Sequence, residues 1–258
     1  MHSDFQTFKF VLIVAIFSAL VLSLTSTSLK DKQNINVEVD RKKNVLKCAG
    51  LDVDKLTSEE IIKKYTEFIN EKVITAEGEL TEIPYDNLMI DENKSTGQIT
   101  YYNSKEYNPE KNDNKKYLPI FEYVLNENIN AYILPISGKG LWSTLYGYFA
   151  LSEDLNTVQG ITFYKHKETP GLGGEIEKNW FQNQFKDKKI FNESNELVSI
   201  KVVKGIAQGK FLKHEVDGMS GATITGNGVT TFLKSDLERY LPFIKKHDAV
   251  VDIKEIKV

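Results

Sequence analysis

The strongest hydrophobic feature of the chain is an uncharged run over residues 10–29, bracketed by Lys9 and Lys30. A helix needs about 20 apolar residues to cross a bilayer core. Residues 10–24 are almost purely apolar, and the polar residues 25–28 can sit at an interface. The pattern predicts a retained transmembrane anchor within residues 1–30. A cleaved signal peptide is the competing reading, but its apolar run would be long and its n-region weak, with Asp4 opposing His2 and Lys9. Lys30, Lys32, Arg41, Lys42 and Lys43 follow the run, and by the positive-inside tendency they would keep the following domain inside.

Beyond the anchor the periodicity changes. Residues 31–82 read as a polar, mainly helical spacer. Thr57, with Glu60 three residues on, marks a helix start, and Ile61, Ile62, Tyr65 and Phe68 form its apolar face. Residues 91–117, rich in Asn, Lys and Asp, read as a solvated loop or insertion. From about residue 116 the chain becomes strand-like. Residues 119–124, 131–136, 146–151, 158–165 and 197–203 are β-branched or aromatic runs bounded by Gly, Asn, Asp or Pro. Ile176, Trp180, Phe181 and Phe185 suit a short amphipathic helix. Val229, Phe232, Leu233, Leu237, Tyr240 and Leu241 suit a longer one, stopped by Pro242. The expected class is α+β: a transmembrane helix, a helical spacer, and a mixed sheet-plus-helix domain over about 116–242.

Charge and composition narrow the partners. A net charge of -3 gives no reason to expect nucleic acid. The single cysteine, Cys48, excludes an internal disulfide and reads as structural. Four glycine-containing segments each follow a strand-like run, where loops commonly carry binding groups. They are residues 138–142, 166–174, 204–205 and 217–223. The last, Asp-Gly-Met-Ser-Gly-Ala-Thr, leads into a helix whose first N–H groups suit a phosphate. Ser220, Thr223 and Thr225 add hydroxyls, and Asp217 reads as a structural cap or a group recognised by a modifying enzyme. The glycines match neither a nucleophile elbow nor a dinucleotide fingerprint nor a P-loop. The four histidines lack metal-ligand spacing, so no metal site is expected. His166 near Glu168 reads as a loop hydrogen bond before a catalytic pair. Trp142 either fills the core or covers an aromatic ring.

Residues 217–223 resemble the flavinylation motif of the C subunits of sodium-translocating NADH:quinone oxidoreductases. Their flavin domain is shared with the G subunit of the Rnf electron-transport complex. The resemblance covers anchor, spacer and flavin domain. It implies that Thr223 carries FMN through a phosphoester bond, attached by a separate flavin transferase with FAD as donor and magnesium. Asp217, Gly218, Ser220, Gly221 and Ala222 complete the motif, and Thr225 is a rival attachment point. Glu168, Thr169, Gly171, Leu172 and Gly173 resemble a flavin-contacting loop, Leu141 and Trp142 another, and Lys204 is assigned to flavin oxygens. The resemblance further implies one-electron relay with no catalytic acid or base. The other membrane subunits and lipid would be partners. The site would be the inner membrane of a bacterium, with the flavin domain on the periplasmic face, against the charge bias. An Rnf-type subunit and a stand-alone flavin sensor are the nearer alternatives. A hydrolase using Ser220 with His166 or His214 is the distant one.

Overall fold

The computed structural model describes residues 4–255. They fall into two units, one ending at Arg41 and one beginning at Lys42. Helix α1 spans Asp4–Cys48 and contains a stretch long and apolar enough to cross a membrane. Within the first unit, large side chains such as Phe10, Ile13 and Phe17 stand exposed. A helix apolar on all sides needs an apolar surrounding, and lipid supplies it.

The end of α1 belongs to the second unit. Val45 and Leu46 are fully buried there. The Thr162 hydroxyl donates to the Asn44 carbonyl at 3.3 Å, and the Cys48 thiol to the Gly160 carbonyl at 3.5 Å. A Cβ on Gly160 would lie 2.5 Å from the Cys48 carbonyl oxygen, so glycine is what lets the helix end touch the sheet. Helix α2, Ser58–Phe68, begins with the expected capping box between Thr57 and Glu60 and buries Ile61 and Tyr65.

The helical spacer is shorter than the sequence predicts. Strand β1, Ile69–Thr75, follows α2 directly, and β2, Leu80–Thr81, pairs with it. Ile69, Val73 and Ile74 bury against the sheet, so β-branched side chains in strand geometry override the helical period that precedes them. The polar stretch 91–117 is likewise not all loop. β3, Leu88–Glu92, and β4, Ile99–Asn103, form an antiparallel pair, with Ile99, Tyr101 and Asn103 facing inward. The alternation there is carried by one isoleucine, one tyrosine and an asparagine, too weak a signal to stand out among the polar neighbours.

The four predicted central strands are present, three of them longer than predicted and the fourth with the predicted bounds. These are β5, Lys116–Leu125; β6, Asn128–Lys139; β7, Thr144–Ser152; and β8, Val158–Lys165. All pair antiparallel in the order β2-β1-β5-β6-β7-β8, and β4 joins at the start of β5. The predicted strand at 197–203 shrinks to β9, Lys201–Val202, which pairs parallel with β10, Glu215–Val216. Helix α3 is a single turn, Asn179–Gln182, flanked by 3₁₀ turns that bury Ile176 and Phe185.

Helix α4, Thr223–Glu255, crosses β6 and closes the core with Leu233, Leu237 and Tyr240. Gly138 takes the Phe232 ring, where a Cβ would come within 2.1 Å of the Phe232 Cβ. Pro242 does not stop the helix but lies inside it. Beyond it, Phe243 and Ile244 are buried and Phe243 meets the Tyr132 ring edge-on, so packing outweighs the roughly 3 kcal/mol that an interior proline costs.

One buried carboxylate ties α4 to the sheet. Asp236 is 1% exposed and accepts from Ser137 N–H at 2.8 Å, Arg239 at 3.0 Å and Gln98 at 3.3 Å. Burial raises its pKa from 3.8 to about 6 against the opposing pull of these partners. Between those values the folded chain holds more protons than the unfolded one, so this group's contribution to stability falls as pH rises through the window. Asp236→Asn is expected to flatten that part of the stability–pH curve. Asp236→Ala is expected to cost about 3 kcal/mol by stranding Ser137 N–H and Arg239. Urea unfolding from pH 4 to 7 checks both.

Candidate functional site

The motif segment 217–223 runs from β10 to the first turn of α4 and borders a cavity of about 600 Å³. Lys204, Asp217, Gly218, Ser220, Gly221, Ala222 and Thr223, all singled out from sequence, line this one cavity. Trp180, Val202, Val203, Ile206 and Asn227 line it too, and the sequence pattern does not mark them. Trp180 reads in the sequence as a core residue of an amphipathic helix, yet it is 46% exposed, with its indole N–H on Glu175 at 2.7 Å. Lys204 and Gly205 point to the right loop, and the apolar residue after them, Ile206, is the signal available there.

Small residues shape the cavity wall. Gly221 sits at φ +72°, where a side chain is strained, and a Cβ there would press on Leu172 at 2.8 Å. A Cβ on Gly218 would meet the Val203 carbonyl at 2.1 Å, so that glycine lets the motif lie against the strand beside it. Asp217 lies outside α4, which begins six residues later, at Thr223. Its Oδ1 accepts from Ala207 N–H at 2.8 Å, and its own N–H donates to the Gln184 side chain at 2.8 Å. The carboxylate is thereby committed to holding the loop after Lys204.

The two threonines differ sharply. Thr223 is exposed at the start of α4, beside the first N–H groups of the helix, which have no acceptor within it. Thr225 is 1% exposed, and its hydroxyl donates to Glu168 at 2.7 Å. It does not reach the cavity.

Glu168 is itself a buried brace, 5% exposed. Besides Thr225 it accepts from Leu141 N–H at 3.3 Å, Trp142 N–H at 2.9 Å and Ser143 N–H at 3.2 Å. Burial pushes its pKa up, and these four hydrogen bonds together outweigh burial and hold it below the usual carboxylate value. Gly140 and Gly173 crowd its oxygens, at 2.7 Å from their Cβ positions. Glu168 thus joins the loops of residues 140–143 and 166–174 to the first turn of α4. His166 accepts from Glu168 N–H at 3.2 Å and lies 3.4 Å from Glu177, a loop role rather than a catalytic pair. Ser220 makes no hydrogen bond to His166 or His214 among the described residues, and His214 Nδ1 is 2.6 Å from the Lys189 carbonyl. No nucleophile–base pair is present there.

Leu141, Trp142, Glu168, Thr169, Gly171, Leu172, Gly173 and Thr225 do not line the cavity itself. Leu172 abuts Gly221, and Glu168 ties Leu141 and Trp142 to α4, so these segments gather around the same helix end. Trp142, at 67% exposure, is not a core residue, and Ile224, next to Thr223, is 59% exposed. Large apolar side chains grouped around a small-residue cleft mark a place where a flat apolar ligand or another protein settles.

Comparison with known proteins gives a consistent result. Residues 140–238 match the family model described as an FMN-binding domain. The C subunit of the Na(+)-translocating NADH-quinone reductase of Vibrio parahaemolyticus is 34% identical over 231 residues, covering 87% of each chain. Its counterpart from Pseudomonas aeruginosa is 29% identical, covering 96% of this chain and 98% of that one. The crystal structure of the C subunit from Parabacteroides distasonis superposes with a TM-score of 0.67 at 33% identity, covering 84% of this chain and 96% of that one. An exposed threonine at a helix start, a glycine-walled cleft and this degree of likeness along most of the length agree: the chain belongs to the family of Na(+)-translocating NADH-quinone reductase C subunits.

Proposed function

We propose that the chain is the FMN-carrying electron relay of a sodium-translocating NADH:quinone reductase, with the FMN phosphate esterified to Thr223. The observation that carries this is the contrast between an exposed Thr223 on the cleft rim and a buried, hydrogen-bonded Thr225. The residues present fit the group. The start of α4 and the glycines before it leave backbone N–H groups and room for a phosphate. Trp180, Val202 and Ile206 offer apolar surface for a ring system. Lys204 stands on the same wall as a cation for ring oxygens. Bound FMN would supply reversible one-electron chemistry at potentials that side chains do not reach.

Within this reading the protein's own residues bind and position. Glu168 fixes the loops around the helix start, and Asp217 fixes the opposite wall. Attachment would form the bond from Thr223 Oγ1 to the FMN phosphorus and break the pyrophosphate of FAD, with AMP as leaving group and the hydroxyl proton passing to solvent, in a step that a flavin transferase with magnesium would perform. The covalent link removes the need for the cleft alone to supply affinity. The other membrane subunits deliver and accept electrons, α1 anchors the chain in lipid of the bacterial inner membrane, and the flavin domain lies on the periplasmic side.

The test is the intact mass and visible spectrum of the full chain expressed with a flavin transferase. A gain of one FMN less water, with flavin absorbance, is expected. An unchanged mass and a colourless protein, beside an active transferase, would sink the proposal.

A further inference from the structure

The segment joining β9 to β10 differs in character from the rest of the surface. Residues 201–214 carry four lysines, Lys201, Lys204, Lys210 and Lys213, and no acidic residue. All four are exposed, and none forms an ion pair among the described residues. Between them stand apolar side chains turned to solvent: Ile206 is 70% exposed, Phe211 54% and Leu212 49%. Phe211 also carries the Lys210 ammonium over its ring, 5.0 Å from the centroid.

This loop is not a loose excursion. Its base is pinned by the parallel β9–β10 pairing, with Lys201 opposite Glu215 and Val202 opposite Val216. Gly218 N–H donates to the Gly205 carbonyl at 2.8 Å, and Ala207 N–H to Asp217. Residues 209–214 form a 3₁₀ turn with no buried residue, held by Lys188 on the Leu212 carbonyl at 2.7 Å. A closed, ordered loop that nonetheless turns a phenylalanine and a leucine outward, away from the cleft lining, gains nothing from that arrangement in water. Exposed Phe and Leu set among unpaired lysines are the composition that settles into the headgroup region of an anionic bilayer, apolar groups among acyl chains and ammonium groups on phosphates.

We propose that residues 208–213 are a second, interfacial membrane contact of this chain, inserted in an anionic lipid surface. The occupant is lipid because the lysines complement a negative surface along the whole segment. The same chain also carries a stretch able to span a membrane, so the folded unit works beside a bilayer. Ile206 and Lys204 line the cleft at Thr223. The contact therefore follows within a few residues of that cleft along the chain. The proposal rests on α1 as an anchor and not on flavin attachment, so the unflavinylated full chain tests it.

The experiment places a nitroxide at Phe211→Cys, and separately at Leu212→Cys, in the full chain reconstituted in lipid nanodiscs. One set of discs is phosphatidylcholine alone and the other half phosphatidylglycerol. Collisions with oxygen report lipid, and collisions with a water-soluble nickel chelate report water. In the anionic discs the oxygen-to-nickel ratio at both positions is expected to rise several-fold over neutral discs. Lys210→Gln combined with Lys213→Gln should remove that rise. A nickel-dominated signal in both disc types would overturn the proposal. So would protection from both reagents that appears only when the other subunits are added, since that is a protein contact.

Discussion

Thr223→Val is expected to leave the chain folded and free of covalent flavin. Valine keeps the volume and β-branching of threonine and removes only the hydroxyl. Thr223 is exposed, and no other group depends on its side chain for a hydrogen bond, so stability should move by no more than about 0.5 kcal/mol. The loss of flavin should be complete, because the neighbouring hydroxyl cannot take over. Thr225 is buried and already donates to Glu168. Thr223→Ser retains a nucleophilic oxygen and should recover part of the linkage. Fluorescence of denatured protein in a gel, with circular dichroism of the same samples, reads both quantities. Flavin held at Thr225 in the valine variant would contradict the accessibility argument.

The second large effect belongs to a residue whose carboxylate braces three segments of the chain. Glu168→Leu is expected to destabilise the second unit by about 3 kcal/mol, because three backbone N–H groups and the Thr225 hydroxyl lose one shared acceptor. Glu168→Gln, which keeps one acceptor oxygen, should cost about 1 kcal/mol. Flavin loading should fall in the same order, since the loops of 140–143 and 166–174 are no longer held to α4. The pH dependence gives an independent sign. The folded carboxylate has a lowered pKa, so its stabilisation is present above the usual carboxylate value and is lost as pH falls through the lowered one. The wild type should therefore lose an acid-labile increment that the glutamine variant lacks. Chemical denaturation at pH 3 to 7 measures it.

Much of this arrangement is legible in the residues themselves. The strands at the centre of the sheet declare themselves through β-branched and aromatic runs, and the Thr57–Glu60 capping box stands in the structure as its spacing predicts. The seven motif residues at the cleft are all visible in one short segment, with Lys204 beside them. What is not legible depends on partners far away in sequence. Residues 69–75 continue an apolar helical face, and only pairing with β5 makes them a strand. Pro242 reads as a stop because the gain from burying Phe243 and Ile244 is tertiary. The bracing role of Glu168 is not legible, because nothing local shows that its oxygens accept from residues 141–143 and 225. Thr225 reads as a rival for the same reason.

The seating of Cys48 against Gly160 has a chemical consequence. Its thiol is fully enclosed, and burial pushes its pKa far above the ordinary value. Thiolate is the form that attacks disulfides and is oxidised by peroxide, and reactivity follows both thiolate content and access. The chain's only sulfhydryl is protonated and out of reach in the folded second unit, so a thiol reagent or peroxide is expected to modify it only after unfolding.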